Sequence, residues 1–157
     1  MSEEKNNPTE RLFNIQKIYV KDVSFETPNS PEIFTLAWGE PKVDFNLSST
    51  AQQIQEGVFE VSLTVTVTVK IEPKTAYLVE VTQSGIFSAS GFQNEEMGHL
   101  LGSYCPNLLF PYAREVVSDL VGKGGFPPML LAPVNFDALY AQHLQQMQAG
   151  HESVTSH

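Results

Sequence analysis

Four histidines and one cysteine are the side chains of this 157-residue chain best suited to nucleophilic, acid–base or metal chemistry. His143, His151 and His157 fall in the last predicted helix and the tail, and none stands beside a cysteine or carboxylate at a metal-ligating spacing. His99 and Cys105 lie six residues apart in one predicted helix, about 600° around its axis, so they point to different sides. A nucleophile and its base must meet, and within one helix these two do not. A lone cysteine commonly behaves as a small buried hydrophobe, which makes Cys105 a core residue. The glycines of GKGG, Gly122 to Gly125, follow a helix, whereas a phosphate-binding loop precedes one. Helix termination accounts for them. A small-ligand enzyme with His99 as base stays open as an alternative, although a second catalytic group is missing. No metal and no cofactor are expected.

The elements that would position such residues are legible in the apolar spacing. From Phe13 to Phe25 the apolar phase changes between Phe13/Ile15 and Ile18/Val20 and returns at Val23/Phe25, which predicts a long strand with a bulge or strong twist. Val43, Phe45 and Leu47 predict a short strand before the polar stretch Ser48 to Glu56. The clearest signal is Phe59, Val61, Leu63, Val65, Val67, Val69 and Ile71 on one parity, with Glu60, Ser62, Thr64, Thr66, Thr68 and Lys70 on the other. Glu72, Pro73 and Lys74 turn the chain, and Tyr77, Val79 and Val81 resume the alternation, so the two runs form an antiparallel hairpin.

A helix starts near Asn94 with Glu95 and Glu96, where acids suit the positive end of the helix dipole. Its apolar face reads as Met97, Leu100, Leu101, Tyr104, Leu108, Tyr112, Val116 and Leu120, and Pro106 and Pro111 should kink or interrupt it. Asn135 can cap a last helix carrying Phe136, Leu139, Tyr140, Leu144 and Met147. Four strands followed by two helices predict an α+β domain, a four-stranded antiparallel sheet with both helices on one face. The boundaries read as a flexible N-terminus over 1–10, one domain over 11–148 and a disordered tail over 149–157, with no internal repeat.

Composition narrows the function classes. Eighteen acidic against nine basic side chains give a formal charge of −9, which repels phosphate backbones and anionic headgroups at long range. Nucleic acid is therefore not an expected partner. No apolar run approaches the roughly 18 to 20 residues of a membrane-spanning helix, and membrane insertion is not expected. One cysteine and the polar, acidic start MSEEKNNPTE point to a reducing cytoplasm.

Two breaker-rich connections are unusually apolar. Thr27 to Pro41 carries Phe34, Leu36 and Trp38, and Gly124 to Pro133 carries Phe126, Met129 and Leu130. Surface connections are normally polar, so either each folds back as a lid on the core, or together they wall a groove whose aromatic and Met side chains repack around apolar segments. Composition leaves both open.

Four segments resemble the SecB family of bacterial export chaperones. LGSYCPNLLFPYARE from Leu101, followed by FPPMLLAPVNFDALY from Phe126, is similar to that family's two helices and their connecting loop. IQKIYVKDVSFETPNSP from Ile15 resembles its first strand and proline-rich crossover loop, and YLVEVTQSGIFSASGF resembles its last strand. The resemblance implies a dimer of dimers, a homotetramer, that uses no nucleotide, holds unfolded secretory precursors and passes them to the SecA motor ATPase. It implies client contacts at Phe34, Leu36, Trp38, Phe126, Met129 and Leu130, and a motor-binding patch at Asp22, Glu26, Leu78 and Glu80. Leu78 and Glu80 also stand on the parity opposite Tyr77 and Val79, where an exposed leucine is out of place on a polar face. A purely structural oligomer, its apolar loops serving as subunit contacts, is the other alternative.

Overall fold

The computed structural model describes residues 10–155. Residues 1–9, where most of the flexible N-terminus is expected, and residues 156–157 of the tail lie outside them.

Four strands, β1 (Leu12–Glu26), β2 (Lys42–Gln55), β3 (Val58–Ile71) and β4 (Lys74–Ser90), form one antiparallel sheet in the order β1-β4-β3-β2. β2, β3 and β4 make a meander, and residues 27–41 carry the chain across from one sheet edge to the other. The phase changes of β1 have a simple origin. Its register on β4 skips Gln16 and Lys21, and each skipped residue is a bulge that restores the next apolar residue to the same face. Phe13, Ile15, Ile18, Val20, Val23 and Phe25 consequently all pair with odd-numbered residues of β4, from Ala89 to Val79. That face is the one the helices cover.

β2 is longer than the short strand Val43 to Leu47 predicted for it. It runs for 14 residues and pairs with β3 through Ser48 to Gln55 as well, skipping only Ile54. In that half only Ala51 and Ile54 are apolar and they fall on opposite parities, so no hydrophobic alternation marks the strand. What pairs it is the backbone, whose donors and acceptors every residue carries. The β2–β3 turn uses Gly57 at φ 75°, a left-handed conformation natural to glycine.

Helix α1 (Asn94–His99), a π-helical turn (Leu100–Tyr104) and α2 (Cys105–Lys123) run as one continuous rod, followed by α3 (Phe136–Thr155). The first cap is Gln93 rather than Asn94, because Gln93 and Glu96 exchange the hydrogen bonds of a capping box. The expected interruption at Pro106 takes the form of the π turn. Pro106 has no N–H for the Gly102 carbonyl, and the widened turn just before it closes through the Cys105 N–H on the Leu100 carbonyl. Pro111 stays inside α2 without an N–H for the Asn107 carbonyl, and both residues are exposed.

The predicted apolar face of this rod needs correction. The sheet is met by Cys105, Leu109, Ala113, Val117 and Val121, all fully buried, whereas Tyr104 and Tyr112 are exposed and Leu108, Val116 and Leu120 only half-buried. Two apolar stripes lie side by side, one residue and about 100° apart, and periodicity alone cannot say which one packs. The packed stripe covers Val61, Leu63, Val65 and Val67 of β3 and Val79, Val81 and Phe87 of β4, which form the core. Burying a side chain of this size stabilises the fold by about 1.5–3 kcal/mol. At the end of α2 the Phe126 N–H reaches the Val121 carbonyl at 3.2 Å and Gly125 turns at φ 87°, so GKGG is a helix stop. α3 begins as read, with the Asn135 side chain accepting from the Ala138 N–H at 3.0 Å. Its backbone continues to Thr155, past Ala149, where apolar periodicity ends.

Candidate functional site

The crossover loop 27–41 is anchored at its start. Ile33, in a 3-10 turn over Glu32–Thr35, is fully buried, the Asn29 amide donates to the Thr75 carbonyl at 2.9 Å, and Lys74 pairs with Glu32. From that anchor the loop lays aromatic rings on Phe126. Phe126 is itself 5% exposed and acts as a hub, with ring centroids of Tyr77 at 4.7 Å, Phe34 at 5.1 Å, Trp38 at 5.7 Å and Phe25 at 6.5 Å. These separations fall within the range of attractive aromatic pairing. Gly124 permits the closure, because a Cβ there would collide with the Phe25 ring.

The two apolar loops are thus brought together, but their six singled-out residues differ. Phe34 and Leu36 are exposed, Trp38 and Met129 half-buried, and Leu130 stands 79% exposed. Phe126 supports the wall from behind. Phe25, Tyr77 and Gly124 complete the cluster and were not singled out from the sequence. Tyr77 and Phe25 did carry a signal, since both sit on the helix-side parity at the strand ends nearest the loops.

An open groove of about 740 Å³ continues along the helix side between β2 and α3, with Leu47, Ala51, Leu101, Leu139, Leu144 and Met147 in its walls. Phe45 and Val134 extend it along β2. β2 is the sheet edge here, so its outer main-chain groups border an apolar trough.

The opposite face of the sheet is polar. Hydroxyls of β3 and β4 meet in pairs, Ser62 with Ser84 at 2.7 Å and Thr64 with Thr82 at 3.0 Å, and Thr66 donates to Glu80 at 2.9 Å. Asp22, Glu26, Leu78 and Glu80 are all exposed, and the register places them together: Glu26 opposite Leu78, Ser24 opposite Glu80, Asp22 opposite Thr82. Farther along, Glu60 accepts from Tyr19 and pairs with Lys21 at 3.0 Å. The Tyr19 hydrogen bond first, then Lys21, hold its carboxyl below the usual glutamate range, while burial and Glu60 push the Tyr19 phenol up to about 12.

The groups suited to covalent chemistry are otherwise engaged. Ser103 Oγ donates to Asp137 Oδ1 at 2.5 Å and His99 Nε2 meets the same oxygen at 2.9 Å, so serine and histidine share a carboxylate instead of pairing with one another. Those two contacts, Ser103 first, hold the Asp137 carboxyl below its usual range. Burial pushes the Cys105 thiol up to about 12, far from the thiolate that reacts. Among the described residues no group of His, Cys, Asp and Glu is placed to hold a metal, and no helix is long and apolar enough to cross a membrane.

A family model described as preprotein translocase subunit SecB matches residues 5–147. The chain belongs to the SecB family. It is 71% identical over 157 residues to the protein-export protein SecB of Methylococcus capsulatus, covering the whole of both chains. To the SecB of Nitrosococcus oceani it is 60% identical over 147 residues, 92% of this chain and 89% of that one. The fold is shared with a SecB-like chaperone of Mycobacterium tuberculosis, solved in complex with a ChAD peptide from an antitoxin: TM-score 0.63 at 16% identity, over 78% of this chain and 90% of that one. Membership of the SecB family makes this chain an export chaperone. In this SecB-family chain the segment from Leu101 to Glu115 is the π turn and the first half of α2, and the segment from Phe126 to Tyr140 joins the aromatic hub to α3.

Proposed function

We propose that this chain is a nucleotide-independent holdase of the cytoplasm, which binds extended apolar stretches of unfolded secretory precursors along its helix side and delivers them to the SecA motor ATPase. The observation that carries this reading is the pair of uncovered apolar surfaces on that side, the Phe34, Leu36, Trp38 wall and the β2–α3 trough. A chaperone that binds only the unfolded chain withdraws it from folding and aggregation by mass action, with no covalent step. Several apolar subsites on one assembly turn modest affinities into a high one. In this reading Phe34, Leu36, Trp38, Met129 and Leu130 touch the client, Phe126 backs the wall, and the main chain of β2 offers the client strand-like pairing.

The assembly is a homotetramer, a dimer of dimers. Ile15, Val20 and Val23 on the helix side of edge strand β1, and Tyr104 and Tyr112 on the outer stripe of the rod, are exposed in a single chain and are surface that further copies would cover. Asp22, Glu26, Leu78 and Glu80 form the acidic docking patch for a basic segment of the motor. Residues 11–148 make up the chaperone domain.

Light scattering of the protein with and without a denatured precursor tests the reading, together with Trp38 fluorescence. Four copies of 17.4 kDa give about 70 kDa, and client addition should raise that mass and shift Trp38 emission. A mass near 17 kDa, or no change on adding client, would falsify it.

A further inference from the structure

α3 meets the rest of the chain at the π turn. Gly98 and Gly102 stand four residues apart on the rod, and a Cβ added to them would come 2.7 Å from the Tyr140 hydroxyl and 2.6 Å from Tyr140 Cε1, respectively. The Tyr140 ring thus fills the notch their missing side chains leave. Glycine is among the least favourable residues inside a helix, so two of them one turn apart need a reason, and close packing of Tyr140 supplies it. Beside the notch, Asp137 in the first turn of α3 accepts from Ser103 and meets His99, and the His99 ring stands edge-on to Tyr140 at 5.8 Å. The π turn explains the geometry: its extra residue rotates the segment before it by about 100° relative to α2. α2 can therefore present Cys105, Leu109 and Ala113 to the sheet while Gly98 and Gly102 meet α3. Gly98, Gly102 and Tyr140 also line the base of the β2–α3 trough.

We propose that Tyr140 in the Gly98/Gly102 notch, with Asp137 held by Ser103 and His99, is a latch that fixes α3 on the π turn and so sets the width of the β2–α3 groove for an extended apolar client segment. These are positioning residues, and the proposal rests on the client-holding reading above. A wedge in the groove wall and a shared carboxylate beside it thereby govern the apolar site.

The test uses the full-length assembly, with amide hydrogen exchange across α3 and the affinity for reduced, carboxamidomethylated α-lactalbumin as an unfolded probe. Gly102→Ala and Tyr140→Ala should raise exchange within residues 137–149 about tenfold, with β3 and β4 unchanged, because a latch opens locally. Both should weaken client binding about fivefold or more, the lower end of ordinary coupling between sites. Gly102→Ala favours the helix intrinsically, so a loss there cannot come from a weakened rod. Tyr140→Phe keeps the wedge and should behave as the wild type. Asp137→Asn, at an exposed position that does not threaten the fold, should show a smaller change in the same direction. Unchanged α3 exchange, a loosened α3 with client affinity intact, or a Tyr140→Phe as damaging as Tyr140→Ala each overturns the latch. Failure of the wild type itself to bind the probe would sink the holding reading instead, and is read without any variant.

Discussion

The two faces of β4 differ in what holds them. Tyr77, Val79 and Val81 are buried under the rod and the aromatic hub, while Leu78 and Glu80, one residue away, are exposed beside a ladder of paired hydroxyls. On the helix side shape comes from packing, which continues outward into loops and a helix whose apolar side chains are only partly covered. On the outer side it comes from main-chain pairing and short polar side chains with fixed partners. One strand thus joins an apolar, adaptable surface to a flat, charged one, which the proposed function assigns to client and motor respectively.

The largest expected effect tests whether only one face is core. Leu63→Ala should cost about 2–5 kcal/mol of unfolding free energy, as for buried leucines elsewhere. Thr64→Ala, its neighbour, loses one hydroxyl pair and should cost about 1 kcal/mol. Urea titration of both at constant m-value measures the contrast. Equal losses would mean the outer face is also packed in the assembly.

Next in size is the separation of activities. Asp22→Asn with Glu80→Gln should weaken motor binding about tenfold, if each exposed charge contributes somewhat under 1 kcal/mol, and leave suppression of client aggregation intact. Phe34→Ala with Trp38→Ala should do the reverse. Motor binding should also fall as salt shortens the Debye length below about 10 Å, whereas client holding should barely respond. Parallel loss of both activities in either double variant would erase the distinction between the faces.

A smaller effect belongs to pH. Glu60 is held below its ordinary value of 4.5 by Tyr19 and Lys21, so its contribution to stability is fully present above that value and fades as pH falls through the lowered one. Glu60→Gln should therefore flatten the acid side of a plot of urea midpoint against pH; an unchanged slope would show that this cluster is not what the acid limb reports. Smallest of all is Cys105. With its thiol near 12, iodoacetamide at pH 8 should leave the native protein unlabelled and client holding unaltered, and ready labelling would show that the rod lifts off the sheet.

How much of this could be read without a structure follows from the range of each signal. Alternation has period two in any strand, so β3 and the Tyr77–Thr82 part of β4 were legible with their two-sidedness, and the phase changes of β1 already encoded bulges, now located at Gln16 and Lys21. The motif-bearing segments carried the family. The apolar loops declared themselves by composition, although not which of their residues touch each other. Three things were decided only by tertiary structure. The second half of β2 has no apolar alternation and is a strand because β3 offers it backbone partners. The rod buries Cys105, Leu109, Ala113, Val117 and Val121 instead of the equally apolar neighbouring stripe, because two stripes about 100° apart are equivalent until a sheet is set against one of them. His99 and Ser103 meet Asp137, and Gly98 and Gly102 receive Tyr140, across separations of 34 to 42 residues that no local period spans, so only the docking of α3 gives those residues their partners.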